Sequence, residues 1–314
     1  MYIYNAIKVL PNNFEEYRNE LVPAYRDLYG KIAAQAYATA LPDNFVRNIS
    51  HDHVIAIAAF SRERALGIIV ASMNGNQARI EFIHLLHGAE NEGIEARLIE
   101  EVVQALRIRG AVSILVETIP FCAVDIDGPL AGLGFSSVER TLMRAELDSV
   151  VPHRHSGHSE ICTNMDDPAL ATLLQTSFAR DAAEKVTKSL GTIESTAGVL
   201  KNYERGLYGP VRPEWSRIVR AKGKIAGIAL GNALASDTGF IFQIAVHPDN
   251  WGQGYGGLLM HDLLALFRVA GMDHVMLGVT QSTPAHDWYK RMAFRDHRHV
   301  TVYGWHKDTV HSSR

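Results

Sequence analysis

The sequence predicts an α/β chain of two tandem domains, each a mixed, mostly antiparallel twisted sheet flanked by helices. Three observations carry this. A polar, breaker-rich seam, Asp148-Ser-Val-Val-Pro-His-Arg-His-Ser-Gly-His-Ser159, lies near the middle of 314 residues. That length suits two domains of about 150 residues each. On both sides of the seam, apolar hairpin strands lead into one strand–helix–strand unit. The expected division is 1–150 and 151–314.

In the second half, Asp166-Asp-Pro opens an apolar run at helical spacing to Phe178, and Thr192 caps a second helix over 193–204. Val-, Ile- and Phe-rich runs at 216–221, 225–230 and 239–246 read as antiparallel strands. A glycine loop and an amphipathic helix over 258–268 follow. A buried strand at 275–280, a short helix over 284–292 and a terminal strand at 300–305 complete the half. The first half repeats the plan, with strands at 54–60, 65–72, 79–86 and 111–117 and a helix over 98–106. A shift of 160 residues lays His247 on His87, and one of 159 lays Ala293-Phe294 on Gly134-Phe135, which points to an internal duplication.

Hydrophobic residues at 47% and charged residues at 21% are ordinary for a globular protein, and a net charge of −3 leaves no basic footprint for nucleic acid or anionic lipid. No run approaches 18 apolar residues and the N-terminus does not read as a signal peptide. Two cysteines, Cys122 and Cys162, form neither a disulfide framework nor a metal-ligand pattern, so a reducing cytoplasm is expected. His153, His155 and His158 in the seam, with His297 and His299 near the end, lack zinc-site spacing, and no metal is expected. His84 and His87 read as structural, and Tyr203, Tyr208 and Trp215 either line an acceptor pocket or pack a helix–strand junction.

The strongest chemical signal is Trp251-Gly-Gln-Gly-Tyr-Gly-Gly257, placed after a buried strand and before a helix. Backbone N–H groups there can converge on phosphate oxygens, because no Cβ blocks the approach and a helix N-terminus favours negative charge. No acidic side chain lies between Trp251 and His261. The spacing Gly252-x-Gly254-x-x-Gly257 also matches a dinucleotide fingerprint. However, His247-Pro-Asp-Asn-Trp separates strand from loop, and the next strand ends in Val279-Thr-Gln without a ribose-binding carboxylate. A Walker loop would need Lys-Ser/Thr after the glycines.

The run Ile244-Ala-Val-His-Pro-Asp-Asn-Trp-Gly-Gln-Gly-Tyr-Gly-Gly-Leu-Leu resembles the acetyl-CoA signature of GNAT N-acetyltransferases, a strand and a His-Pro step leading to Arg/Gln-x-x-Gly-x-Gly/Ala. A second family block, Asn-x-x-Ala-x-x-Leu-Tyr-x-x-x-Gly-Phe, resembles Thr283-Pro-Ala-His-Asp-Trp-Tyr-Lys-Arg-Met-Ala-Phe294. The layout is similar to tandem GNAT enzymes such as mycothiol synthase. The resemblance implies acetyl-CoA as co-substrate and a small-molecule or peptide amine as acceptor, in a monomer or homodimer. It implies that Ile244, Ala245 and Val246 offer main-chain groups to the pantetheine and acetyl carbonyl. Gly252, Gln253, Gly254, Tyr255, Gly256 and Gly257 would bind the pyrophosphate, and Tyr289 would be the general acid that protonates the leaving thiolate.

Trp251 stands at the usual Arg/Gln position, Thr283 at the usual Asn, and His286 at the usual small residue, where it would crowd the cofactor or touch its phosphate. Some relatives carry a basic Glu near Gln243, so the base stays unassigned. With the 160-residue shift, Gly252 falls on Glu92, Gly254 on Ile94, and Tyr289 on Leu130 or Pro129. Three carboxylates and a β-branched residue there imply a first half that is GNAT-like but without a CoA site. The alternative function is a non-catalytic acyl-CoA-binding or regulatory protein.

Overall fold

The computed structural model describes residues 2–89, 93–117, 126–150, 157–281 and 283–307. The chain forms two compact units, Met1–Val138 with Val300–Arg314, and Glu139–His299.

The first unit runs β1 (Ile3–Ala6), α1 (Phe14–Tyr29), α2 (Lys31–Ser50), β2 (Val54–Ser61), β3 (Arg64–Asn74), β4 (Gln77–Leu85), α3 (Ile94–Ile108), β5 (Ser113–Glu117) and α4 (Asp127–Gly132). β1 to β4 are consecutive antiparallel neighbours, and β5 lies parallel to β4. One helical face of α3, from Ile94 and Leu98 to Val102 and Leu106, is buried against one side of the sheet. Tyr17 and Leu21 of α1 and Leu41, Phe45 and Ile49 of α2 cover the other.

The second unit contains β6 (Ser136–Glu146, from residue 139), β7 (Glu160–Ile161), α5 (Pro168–Phe178), α6 (Ala182–Thr187) and α7 (Ile193–Glu204). These are followed by β8 (Ser216–Ala221), β9 (Lys224–Ala235), β10 (Thr238–Val246), α8 (Tyr255–Val269), β11 (His274–Thr280), α9 (Pro284–Arg291) and the start of β12 (Arg295–His306). Its ladders join β7, β8, β9, β10, β11 and β6 in that order, antiparallel throughout except for β10 with β11. Local chemistry sets the helix starts. Asp167 accepts from Ala169 N with Pro168 at the first turn, and Thr192 and Ser195 form a reciprocal capping box. Helix α8 buries Leu259, Leu263 and Phe267 on one face, each contributing about 1.5–3 kcal/mol. Phe267 fills the space left by two glycines on neighbouring strands, for a Cβ on Gly239 would come within 2.7 Å of its ring and one on Gly231 likewise.

The expected cut at 150/151 falls inside the second unit, because strand pairing rather than the polar seam sets the boundary. Residues of β6 from Arg140 to Glu146 pair with β11, while Val302 to His306 of β12 pair antiparallel with β5. The chain end thus closes the first unit. Strand positions read from the sequence agree within two residues with β2 to β5 and β8 to β11, except that β9 runs on to Ala235. β1, α1, α2, α4, α6, β6 and β7 are elements that the sequence pattern does not predict. Among the described residues, no helix is long and apolar enough to cross a membrane.

Candidate active site

The site is built where two parallel strands part. β10 and β11 pair only from Thr238/His274 to Ile241/Leu277. Immediately beyond, the register of β10 against β9 slips between Ile241 and Gln243, so Phe242 is an extra, bulged residue. From there β10 stays paired to β9 while its other edge is free of β11.

Which main-chain groups face that opening follows from the antiparallel ladder. His247 N donates to Ala226 O at 2.8 Å. Counting by two, Ala245/Ile228 and Gln243/Leu230 are the remaining hydrogen-bonded pairs. Ile244 and Val246 therefore turn their N–H and C=O groups into the opening, whereas the backbone of Ala245 is turned to β9. This corrects the expectation that all three residues offer main-chain groups. The Val246 carbonyl is already engaged, accepting from the Trp251 indole Nε1 at 2.7 Å and from Ser177 Oγ at 3.2 Å.

The glycine loop follows. Gly252 and Gly254 have φ of 76° and 84°, a left-handed conformation that a Cβ disfavours. Gly254 is the N-cap of α8 and no side chain caps it, and the first helical bond runs from Leu258 N to Gly254 O at 3.0 Å. The N–H groups of Tyr255, Gly256 and Gly257 thus lie at an uncapped helix start, the arrangement that attracts an anion. Gln253 Nε2 donates back to Asp249 O at 3.4 Å. A Cβ on Gly256 would meet only ordinary contacts, at 3.8 Å from Val246 and from the ring of Trp288.

Tyr289 is buried on α9, in the cluster that contains Leu259, Leu263 and Val279. Its hydroxyl has no hydrogen-bond partner among the described residues. Burial pushes that hydroxyl well above the usual phenol range, and the Arg140 guanidinium pulls weakly the other way. The group stays protonated at neutral pH.

The departures resolve differently. Thr283 caps α9, donating to Thr280 O at 2.8 Å and accepting from His286 N at 3.3 Å. His286 Nε2 sits 2.8 Å from Asp296 Oδ1, and Lys290 Nζ lies 3.0 Å from the other carboxylate oxygen. Both side chains are thus committed to local structure. Counted back from Tyr289, the family block places its Asn at Ser282, outside the described residues, and its Ala at Ala285. The same count puts Trp288 at the Leu position. Trp288, beside Gly256, is one residue that the sequence reading passed over.

Two others come from the sheet. Val275, Leu277 and Val279 point toward α8 and Tyr289, so Gly278 and Thr280 point to the opposite face. On that face Thr280 Oγ1 donates to Asp181 Oδ1 at 2.8 Å, and Arg140 of β6 donates from Nη2 to Gly278 O at 3.0 Å. Phe242 stacks there on Tyr208 with centroids 4.5 Å apart. Tyr203 and Trp215 are core residues: Tyr203 Oη donates to Gly231 O at 2.6 Å, and both side chains are buried. No motif marks Arg140 or Asp181, since only strand pairing and a tertiary hydrogen bond bring them to Thr280.

The first unit keeps the same geometry with an offset of 161, not 160. β4 pairs with β5 over four residues from Gln77/Ser113 to Ile80/Val116, and its bulge is at Glu81. Gly93, φ 70°, is the N-cap of α3. Gly254 therefore corresponds to Gly93 rather than to Ile94, and Gly256 to Glu95, whose Oε2 is buried without a partner. Glu92 lies outside the described residues. Phe135 N bonds Leu130 O as Phe294 N bonds Tyr289 O, so Leu130 takes the tyrosine position. His84 Nε2 and His87 N both bond the Glu20 carboxylate, tying α1 to the end of β4. In the seam, His153 and His155 lie outside the described residues and His158 is exposed.

Residues 180–294 match the Acetyltransferase (GNAT) family model. Among solved structures, a GCN5-related N-acetyltransferase from Sphaerobacter thermophilus is 16% identical, with a TM-score of 0.64 over 98% of this chain and 96% of that one. A tandem GNAT protein from the clavulanic acid biosynthesis pathway, solved without AcCoA, is 15% identical, with a TM-score of 0.55 over 98% and 99%. A GNAT-family acetyltransferase from Colwellia psychrerythraea is 12% identical, with a TM-score of 0.51 over 97% and 100%. No curated protein sequence matches significantly.

Proposed function

We propose, for a chain that carries a GNAT-family acetyltransferase domain at residues 180–294 and a tandem GNAT fold along its length, that it transfers the acetyl group of acetyl-CoA to a primary amine. The observation that carries this is the continuity of the opening. Inward-facing Ile244 and Val246 lead directly to the uncapped start of α8. One wall thus suits an amide-bearing arm and its end suits a pyrophosphate.

On this reading the amine nitrogen attacks the thioester carbonyl carbon. Main-chain N–H groups of β10 stabilise the resulting oxyanion. Collapse breaks the C–S bond, Tyr289 gives its proton to the departing sulfur and regains one from solvent, and the nitrogen loses its proton to solvent. Gln243, in the bulge region, is not a base at neutral pH. The first unit serves as a scaffold without a CoA site, since Glu95 puts a carboxylate where Gly256 stands and Leu130 has no proton to give. A cytoplasmic setting is part of the same proposal.

Calorimetry with CoA and release of free thiol with an amine panel test it. Binding with transfer is expected, and Gly254→Glu should abolish binding by combining a strained φ with a like charge. Absence of CoA binding to the wild type overturns the proposal. The glutamine near the bulge favours a second reading, a non-catalytic acyl-CoA-binding protein, which predicts tight CoA binding with no thiol release for any amine.

A further inference from the structure

We propose that the acetyl acceptor carries a carboxylate beside its reactive amine, as a free α-amino acid does, and that Arg140 holds that carboxylate. The inference rests on the acetyl-transfer reading and names its substrate class.

Arg140 pairs with Thr280 across the β6–β11 ladder, at the level where β11 has parted from β10. Its guanidinium lies over Gly278, where a Cβ would stand 3.5 Å from Nη2. That is an ordinary contact distance, so the guanidinium lies close over the strand without being wedged against it. The group is half-buried, yet no carboxylate lies within salt-bridge distance of it among the described residues. One donor reaches the Gly278 carbonyl, and Nε is buried without a partner. A guanidinium offers five donors in a planar fork that matches a carboxylate, and an unanswered charge removed from water is costly. A carboxylate bound at the accessible edge of the guanidinium answers its charge and its remaining donors.

Its surroundings fit the rest of such a ligand. Arg140 is on the sheet face opposite Tyr289, which leaves the tyrosine side for the CoA thiol and this side for the incoming amine. Asp181, fixed by Thr280 Oγ1 and by Ala183 N at 2.8 Å each, presents the opposite charge on the same strand end. Arg140 and Asp181 flank Thr280 without pairing to each other, an arrangement complementary to a zwitterion. The Phe242–Tyr208 stack on the same face offers an apolar wall for a side chain.

Matched acceptors test this with the full-length chain at saturating acetyl-CoA: phenylalanine against phenethylamine, and lysine against cadaverine. The amino acids should be preferred by at least about 10-fold in kcat/KM, the usual scale of a charge-assisted fork. Arg140→Leu should bring that ratio to about 1 and Arg140→Lys should restore part of it, with CoA affinity as the folding control. Equal or better use of the decarboxylated amines by the wild type overturns the inference and leaves acetyl transfer standing. A preference that survives Arg140→Leu overturns the role of Arg140. No transfer to any amine of either set, despite CoA binding, overturns this inference together with the acetyl-transfer reading.

Discussion

Replacing Tyr289 by Phe removes one oxygen atom and separates its chemistry from its packing. The ring is buried and packs edge-on to Phe294, with centroids 5.8 Å apart, and none of that depends on the hydroxyl. Because the hydroxyl has no partner among the described residues, its removal should leave stability unchanged or raise it by up to about 1 kcal/mol. For a unit of this size that corresponds to a rise in Tm of about 2–4 °C at most. CoA affinity should hold within about 3-fold, since the groups proposed to bind the pyrophosphate are on the loop and α8. Turnover should fall by about 10² to 10⁴, the range for a lost general acid, or about 2.7–5.5 kcal/mol of barrier.

The assay is thiol release at saturating acetyl-CoA, with calorimetry for CoA and thermal unfolding on the same preparation. A general acid works while protonated, so its activity is lost as pH rises through its pKa. Burial raises the Tyr289 pKa above the phenol value of 10.0, which places the descending limb of kcat above pH 10. A wild-type limb falling below pH 9 would refute the assignment, as would a Phe variant whose kcat stays within about 3-fold of wild type.

Ala293 adopts φ 69° where the family block has glycine and where Gly134 of the first unit has φ 84°. Relief of about 1–2 kcal/mol of left-handed strain, less about 0.5–1 for glycine's greater unfolded freedom, predicts that Ala293→Gly raises stability by about 0.5–1 kcal/mol in urea unfolding. Trp251 is 62% exposed and its N–H is committed to Val246. Trp251→Arg should place a cation near the pyrophosphate and tighten CoA binding by about 5-fold at low salt, a gain that fades above 0.5 M. An unchanged Kd at low salt would mean that a side chain at 251 does not reach the phosphates. Gly239→Ala would drive a Cβ into the Phe267 ring and should cost about 1–3 kcal/mol; adding Phe267→Leu should return part of that, measured as a double-mutant cycle.

The hairpins and α7 were legible because their signals are local: alternating or continuous apolar strands, and a threonine cap before a periodic run. Helices α1 and α2 were not, although Leu41, Phe45 and Ile49 keep a spacing of four. Pro23 and Pro42 sit inside them and interrupt the pattern that a helix shows in sequence. β6 reads as polar because it is half-exposed, and its pairing with β11 spans more than 120 residues. The glycine loop was legible for the opposite reason, as glycines between a strand and a helix. Arg140, Asp181 and the choice of Ile244 and Val246 over Ala245 depend on ladder parity and tertiary contact, which no linear spacing encodes.

Compared residue by residue, the two units share a backbone frame and differ in a few side chains upon it. A 160-residue shift set Ile94 against Gly254 and made the glycine the mark of the active half. The ladders, the bulges and the helix starts all agree on 161, and then both units keep a left-handed glycine at the helix N-cap. That glycine is retained in the unit proposed to bind no CoA, so it answers to the strand-to-helix turn and is weak evidence for a phosphate. What distinguishes the units is chemistry placed on a shared frame. Gly256 leaves the helix start open where Glu95 puts a carboxylate, and Tyr289 carries a proton where Leu130 carries none. The proposed activity is therefore a matter of a few side chains around a common opening, which is why single substitutions at 289 and 140 are decisive tests.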